Sequence, residues 1–544
     1  MKKMKYILSA ILLCGTMPLL AQETYENTKM VQNELNGTAR YVGMGGALDA
    51  LGADVSVIRS NPAGIALIRK SRADVSFGLV SQQDGKAFMN GNVTNPSFDQ
   101  IGVVFAMQNW FEDGGRFNFA VNYTKSTNFD YILSTAGSLN NASQNTLSFI
   151  KAIGRNDQYG TSTFNVKQDN RGVLRGTQPY TSQLDNLYYN NFTMDGGLLP
   201  GYNSATGYLL NRANTGYIGT YDFNLSGSIS RRMYLGMTVG LHDVHYRGVS
   251  EYTEQLVGSK GNIGSITVND DRKITGTGVD FKLGAIFLPI ENSPFRIGLA
   301  LSSPTFYDLT TSNMTSLTNR TDIAGYNKGW ATGEAYNFRL ATPWKFGLSL
   351  GHTIENYLAL GASYEYADYS EMKTRVIDGS GYDWYEGYYE TSSNDAAMNS
   401  HTKRTLRGVS TLKLGMELKP VSRLALRAGY NYLSPMFKTD GYKDGSLDSY
   451  GSNYSSATDY VNWKAINRFT LGVGFTLDDF NIDLAYQYSA QDGQFYPFMG
   501  GEGTFNYKHT QTGQITAEKI ENYADAVNVT NKRHQLLLTL GYRF

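Results

Sequence analysis

The end of the chain constrains the fold most. Leu536, Leu538, Leu540, Tyr542 and Phe544 lie on one side of an extended segment, and Gln535, Thr539, Gly541 and Arg543 on the other, because successive side chains of a strand point to opposite faces. The same period of two sets Phe469, Leu471, Val473 and Phe475 against Arg468, Thr470, Gly472 and Gly474. It sets Phe480, Ile482, Leu484, Tyr486 and Tyr488 against Asn481, Asp483, Ala485, Gln487 and Ser489, and, far upstream, Phe117, Phe119, Val121 and Tyr123 against Arg116, Asn118, Ala120 and Asn122. A strand with one greasy and one polar face suits a membrane-spanning barrel, whose outside meets lipid and whose lumen meets water. The mean hydropathy of −0.35 is that of a soluble protein. Alternation accounts for it, since such strands never build a long apolar run.

Read this way, the chain is expected to form strands near 73–82, 98–109, 115–126, 217–230, 233–247, 274–288 and 294–303, then 336–351, 356–370, 404–419, 423–434, 463–476, 480–490 and 532–544. That is about fourteen, an even number as in bacterial barrels. Short connections at Asp113-Gly114-Gly115, Arg231-Arg232, Glu291-Asn292-Ser293, Glu355-Asn356, Pro420-Val421-Ser422 and Asp478-Asp479 alternate strictly with long ones. This is the contrast between periplasmic turns and extracellular loops. The longest connection, 127–216, exceeds a passive link and is expected to fold over the mouth. The fold class is all-β, a transmembrane antiparallel β-barrel of about fourteen strands. A soluble sandwich or propeller has no such two-ended asymmetry.

Lys2, Lys3 and Lys5 precede an apolar run from Tyr6 to Leu20 that ends at Ala21. The run is short for a spanning helix and ends in a small residue, so residues 1–21 are expected to be a cleaved signal peptide and the mature chain to start near Gln22. Cys14, the single cysteine, leaves with it, which excludes disulfides, thiolate metal sites and a cysteine nucleophile. The 48 basic and 48 acidic residues become a slight acidic excess without the three leader lysines, and no basic footprint for nucleic acid remains. The expected location is the outer membrane of a Gram-negative-type bacterium, with membrane lipid, lipopolysaccharide and the barrel assembly machinery as partners.

Between the leader and the first strand lies a segment, 22–72, rich in Gly and Ala, which reads as a hatch inside the barrel, with the barrel itself over 73–544. Gly43-Met44-Gly45-Gly46-Ala47 has no preceding strand or βαβ unit, so it is close-packed small residues and not a nucleotide loop. In Ser60-Asn61-Pro62-Ala63-Gly64-Ile65, Pro62 fixes its own φ and removes a donor, while Gly64 permits a tight turn. These stretches, with Gly52-Ala53-Asp54-Val55-Ser56 between them, resemble the N-terminal hatch of the FadL-type outer-membrane transporters of long-chain fatty acids and aromatic hydrocarbons, in particular members from Bacteroidetes-like bacteria. The Asn-Pro-Ala triplet is that family's most recognisable mark. The resemblance continues at Pro304 after Ser302-Ser303, at Thr342-Pro343-Trp344, and in the strand number.

The resemblance implies passive uptake of a hydrophobic small molecule, fatty-acid-like or aromatic, captured at the extracellular loops and released past the hatch. Asn61, Pro62, Ala63 and Gly64 are the expected ligand and gate residues, with space beside Ala63 and Gly64 for a ligand tail. The long Tyr-rich loops depart from the family, and two alternatives stand beside this one: a haemin or porphyrin receptor, and a surface adhesin or structural barrel.

Nothing points to an enzyme. No nucleophile elbow or phosphate loop is present. His242 and His245, three apart on a strand, are expected to face opposite ways, which leaves no metal pair, and His352, His401, His509 and His534 stand singly. No cofactor and no metal are expected. Arg407, Lys413, Glu417, Arg427, Arg468, Glu365 and Asp483 are read as lumen charges that pair to hold the wall together. Tyr382, Trp384, Tyr385, Tyr388 and Tyr389 mark an aromatic loop.

Overall fold

The computed structural model describes residues 24–544 apart from 33, 108–115, 155–163, 179, 192–200, 259–260, 323–324, 329–333, 386, 450–453, 455, 458 and 509–514. The leader 1–21, Gln22, the turn at Asp113-Gly114-Gly115 and His509 lie outside the described residues.

The wall begins with β1 (Arg72–Gln82), β2 (Thr94–Met107), β3 (Phe117–Asn128), β4 (Ser204–Ser230), β5 (Met233–Gly258) and β6 (Gly261–Phe287). Three strands follow in two pieces each: β7 and β8 (Arg296–Ser302, Phe306–Thr321), β9 and β10 (Glu334–Ala341, Lys345–Ile354), and β11 and β12 (Leu358–Asp368, Lys373–Asp383). The last five are β13 (Gly408–Val421), β14 (Leu424–Leu433), β15 (Tyr460–Leu477), β16 (Phe480–Tyr496) and β17 (Val527–Arg543). Neighbours are antiparallel, and β17 closes on β1 from Arg72 opposite Arg543 to Gln82 opposite Arg533. Among the described residues this is a closed 14-strand barrel.

Large apolar residues cover the outside of the wall, among them Phe77, Ile101, Phe223, Leu283, Leu348, Leu414, Leu471 and Leu538, all exposed. No described helix is long and apolar enough to cross a membrane. A closed sheet with an apolar exterior pairs its backbone and gives lipid an apolar surface, so the barrel spans the membrane through its strands. On β5 the last exposed apolar residue is Leu241. Asp243, His245 and Arg247 follow on the same side, so the strand leaves the bilayer there.

The connections do not alternate strictly. Residues 248–258 and 261–273, expected in a long loop, continue β5 and β6 as a paired ladder from Gly248 opposite Arg272 to Gly258 opposite Gly261, with one register shift at Leu256 and Val257. Above the bilayer the outward face needs no apolar residue, so the lipid signal stops while the strands go on. The described parts of the connection between β3 and β4 do fold over the mouth. The strand Tyr131–Ala142 pairs with β4, and helices α3 (Gln144–Ile153) and α4 (Gln183–Asn191) lie beyond it. Lys151 of α3 meets Asp185 of α4 at 3.0 Å with both side chains buried. Leu184, Leu187 and Tyr188 join Leu256, Ile266, Leu317 and Phe495 in one core. Glu254, beyond the membrane on β5, accepts hydrogen bonds from the Gln144 backbone (2.7 Å) and the Tyr252 hydroxyl (2.6 Å). Burial pushes its carboxyl up to about 7.

The interrupted strands break at one height, at Ser303-Pro304-Thr305, Thr342-Pro343-Trp344 and Tyr369–Glu371. Each break reverses which side chains point inward. Ser349 is buried below Pro343, whereas Phe338 and Leu340 are buried above it. This is the effect of residues inserted in a ladder, and a continuous strand over 336–351 is therefore a misreading, whereas 356–370 holds an unbroken strand up to Asp368. Proline has no N–H to give, and hydroxyls repair the ladder: Thr342 Oγ1 accepts from Thr305 N (2.8 Å) and Ser303 Oγ from Phe281 N (2.9 Å). Residues 404 and 405, expected in a strand, complete helix α5 (Ala396–Thr405), capped by Asp395.

Candidate functional site

The segment read as a hatch lies inside the barrel, most of it in the half where short turns join the strands and its first helix above the rest. It comprises α1 (Thr24–Val31), α2 (Ala39–Gly43) and two 3-10 turns, Val55–Arg59 and Pro62–Leu67. The starts of α2 and of both turns have the residue their geometry calls for. Thr38, Asp54 and Asn61 are extended, and their side chains accept from Tyr41, Ser56 and Ala63 backbone N–H groups. Pro62 occupies the first turn, where its lack of a donor costs nothing.

Asn61, Pro62, Ala63 and Gly64 are all buried. Asn61 Oδ1 accepts from Ala63 N (3.2 Å), and Asn61 Nδ2 donates to Ala285 O (3.4 Å). Asn224 Nδ2 reaches Pro62 O (3.4 Å), and Asn118 Nδ2 donates to Ile65 O (2.7 Å) and Ile68 O (2.9 Å). Gly236 and Gly284, directly paired on β5 and β6, press their bare backbones against the motif, and a Cβ on either would overlap Pro62 or Asn61. The space expected beside Ala63 and Gly64 is filled, by this wall and by Val57.

The opposite side of the hatch repeats the device. Gly351, Gly361, Gly415 and Gly429 form a register row over β10, β11, β13 and β14. The backbone of Met44, Gly45 and Ala47 and the side chain of Leu51 lie against this row. Gly45, at φ 62°, has no room for a side chain beside Tyr430 and Leu414. Asn431 Nδ2 donates to Gly45 O (3.2 Å) and Thr470 Oγ1 to Gly43 O (3.1 Å).

Charges complete the lock. Glu417 lies between Arg40 (3.0 Å) and Arg427 (2.7 Å), and Arg427 reaches Asp483 (2.6 Å). Lys413 pairs with Asp49 at 3.3 Å and lies 4.0 Å from Glu365. Pairing of the lumen charges thus holds except at two positions: Arg407 is exposed and donates to Pro435 O (3.1 Å), and Arg468 donates to the neutral Asn431 Oδ1 (2.9 Å). His242 is buried against Asp280 (2.9 Å), whereas His245 is exposed with Asp243 (2.9 Å), so the two face opposite sides. Among the described residues no three His, Cys, Asp or Glu gather where a metal would bind.

Above the charged level the lumen changes character. Ile218, Val244, Leu309 and Phe338 form an inward row with Val376 across β4, β5, β8, β9 and β12, and Ile274, Leu340, Ala367, Tyr369, Val409 and Phe437 extend it into one buried cluster. Helix α1 occupies this layer, with Tyr25, Met30 and Val31 in the same cluster. Tyr25 stacks on Phe437 at 5.0 Å and donates to Asn462 Oδ1 at 2.8 Å. Burial opposes ionisation of Glu26, yet Lys29 (2.8 Å) and Arg272 (3.3 Å) hold its carboxyl well below the usual range.

Between α1 and the charged level lies a cavity of about 110 Å³, lined by Met30, Tyr41, Arg59, His242, Asp280, Tyr307, Lys345, Glu365, Tyr369 and Lys413 among others. Lysines and arginines outnumber carboxylates in its lining. Asp280 is bound to Lys282 and His242, and Lys413 to Asp49, while Arg59 and Lys345 enter no ion pair or hydrogen bond recorded among the described residues. Sequence reasoning missed this apolar layer, α1 and both cations. Lys345 had a signal, an inward position one residue after the Pro343-Trp344 break, visible once the reversal of faces is known.

Several solved structures are similar to this chain. A Pseudomonas aeruginosa FadL homologue matches 97% of this chain and 100% of its own at 13% identity and a TM-score of 0.47. The toluene transporter TbuX of Ralstonia pickettii matches 94% and 99% at 12% identity and 0.45. The Pseudomonas putida toluene transporter TodX matches 94% and 99% at 12% identity and 0.43. The similarity is to FadL-type proteins. No family model matches the chain, and no curated protein does. At these identities the assignment of function rests on the barrel's own geometry.

Proposed function

We propose that the chain is a passive conduit of the outer membrane for hydrophobic small molecules, preferring fatty-acid-like amphiphiles with an anionic head. The observation that carries this is the inward apolar layer of Ile218, Val244, Leu309 and Phe338. A water-filled barrel has a polar interior, and an apolar one suits an apolar guest, at about 0.8 kcal/mol per buried methylene. The cavity beneath supplies the head-group chemistry, since Arg59 and Lys345 favour a carboxylate over an uncharged hydrocarbon.

In this reading the ligand is gathered at the loops, displaces α1 from the layer, and leaves when the hatch segment bearing Asn61, Pro62, Ala63 and Gly64 shifts off the wall. Export on a cleaved leader of residues 1–21, assembly by the barrel machinery and a lipopolysaccharide-facing exterior belong to the same proposal.

The test is uptake and binding of oleate, oleyl alcohol, toluene and haemin by cells and purified protein. Oleate uptake is expected to saturate and to fall at least tenfold in Phe338→Asp with the barrel still heat-modifiable. Lys345→Met is expected to weaken oleate but not oleyl alcohol. Unchanged oleate uptake in Phe338→Asp overturns the proposal, and tight saturable haemin binding lost in His401→Ala replaces it with a porphyrin receptor.

A further inference from the structure

The outer surface of the wall, which should bulge in a barrel, is hollowed over β3 to β11. The depression has a volume of about 1850 Å³. Its floor is built from two register rows of outward residues, Leu225, Met237, Leu283 and Leu301 in one and Leu235, Ala285 and Leu299 in the other. The hollow lies directly behind the hatch motif: Gly236 and Gly284 line it from one side and press on Pro62 and Asn61 from the other.

Its course is oblique. On β5 the lining residues stand close to the periplasmic start at Met233, whereas on β10 and β11 Phe346 and Tyr366 stand near the opposite ends of their strands. The hollow therefore climbs from the periplasmic rim toward the bilayer interior. At the rim end it is bordered by Arg116, partly exposed, and Arg231, exposed. An apolar trough entering the bilayer with guanidinium groups at its mouth matches one membrane component in shape and in charge.

We propose that this hollow binds a phospholipid of the periplasmic leaflet, its phosphate held by Arg116 and Arg231 and its acyl chains laid along Leu235, Leu283 and Leu299 toward Phe346. Guanidinium pairs with phosphate through charge-assisted hydrogen bonds, and basic residues at the membrane surface add attraction for anionic head groups. One sheet thickness separates the chains from Asn61 and Pro62, so the bound lipid backs the wall on which the hatch rests.

The test is native mass spectrometry of the full chain in neutral detergent with dioleoyl-phosphatidylglycerol or dioleoylglycerol, which share acyl chains and differ in the phosphate. One phosphatidylglycerol per chain is expected to survive detergent removal, with dioleoylglycerol retained at least tenfold less. Arg116→Ala with Arg231→Ala is expected to bring the phospholipid down to the dioleoylglycerol level. Ala285→Trp, which fills the trough without changing charge, is expected to reduce phospholipid retention as well, with folding of each variant checked by heat-modifiability. Equal retention of both lipids by the native chain overturns the proposal. So does retention unaffected by the arginine pair or by Ala285→Trp, and so does recovery of a dimer whose second copy covers this face.

Discussion

Glu254 Oε1 accepts the backbone N–H of Gln144 at 2.7 Å, fastening a strand that has left the membrane to the first turn of the helix over the barrel's mouth. Burial raises this carboxyl to about 7, against the pull of its hydrogen bonds from Tyr252 and from the Gln144 and Asn145 backbone. The neighbouring groups, Tyr188, Tyr208 and Tyr252, are uncharged below pH 8. The folded state thus holds the proton more tightly than the unfolded chain, where a glutamate titrates near 4.3. The stability from this group is full below about pH 4 and is lost as pH rises through about 7. Hydrogen-exchange protection factors of the amides at 144–146 are expected to be higher at pH 5 than at pH 8. Glu254→Gln, which keeps the acceptor oxygen, is expected to flatten that dependence. A profile identical in both proteins would remove Glu254 from the account.

Gly284→Val tests the seating of the hatch. Its Cβ would overlap the Asn61 carboxamide oxygen, and overpacking of this kind costs about 1–3 kcal/mol. A barrel that still closes but melts earlier, and that leaks ions in planar bilayers, is the expected result. Native melting with a silent bilayer would mean that the contact between Gly284 and Asn61 is slack.

Glu417 serves two guanidinium groups, Arg40 and Arg427. Removing one partner of a buried ion pair strands the other at about 3–5 kcal/mol, and Arg427 keeps Asp483 as partial relief. Glu417→Ala is therefore expected to unfold at clearly lower denaturant in gel-shift assays than the Arg423→Ala control at the periplasmic turn, while Glu417→Gln falls between. Equal midpoints for Glu417→Ala and the control would refute the ion-pair lock.

Deleting Phe544 is expected to reduce the folded, heat-modifiable fraction in the outer membrane. The residue is exposed on the outer surface, packs near Tyr542 (6.2 Å between ring centroids) and Phe105 (6.4 Å), and its backbone N–H reaches Ser71 O at 2.9 Å. Assembly at the native level would show that the terminal aromatic is dispensable.

The lipid-facing parts of the barrel were legible because a bilayer forces period two on the outer face. Leu536 to Tyr542 and Phe480 to Tyr488 therefore fell where expected. The signal failed wherever that force was absent. Beyond Leu241 the outer face of β5 is polar, so its extension read as loop, and at Pro304 and Pro343 the faces exchange, so a two-residue period runs out of phase. The hatch motif was visible as small residues, yet its complement was not. Nothing in the alternation singles out Gly236, Gly284, Gly415 and Gly429, although glycines at inward positions on adjacent strands are a readable sign that backbone meets backbone there.

The two glycine rows also set the terms on which this barrel can be rebuilt as a pore. Along these two rows the wall carries no side chains to trim, so no substitution of Gly236, Gly284, Gly415 or Gly429 can widen the passage. The bore is limited by the peptide of the hatch, from Met44 to Ala47 on one side and Asn61 to Ala63 on the other. An enlarged opening must come from shortening that segment, and the bared glycine strips would then present smooth, unobstructed backbone to whatever passes.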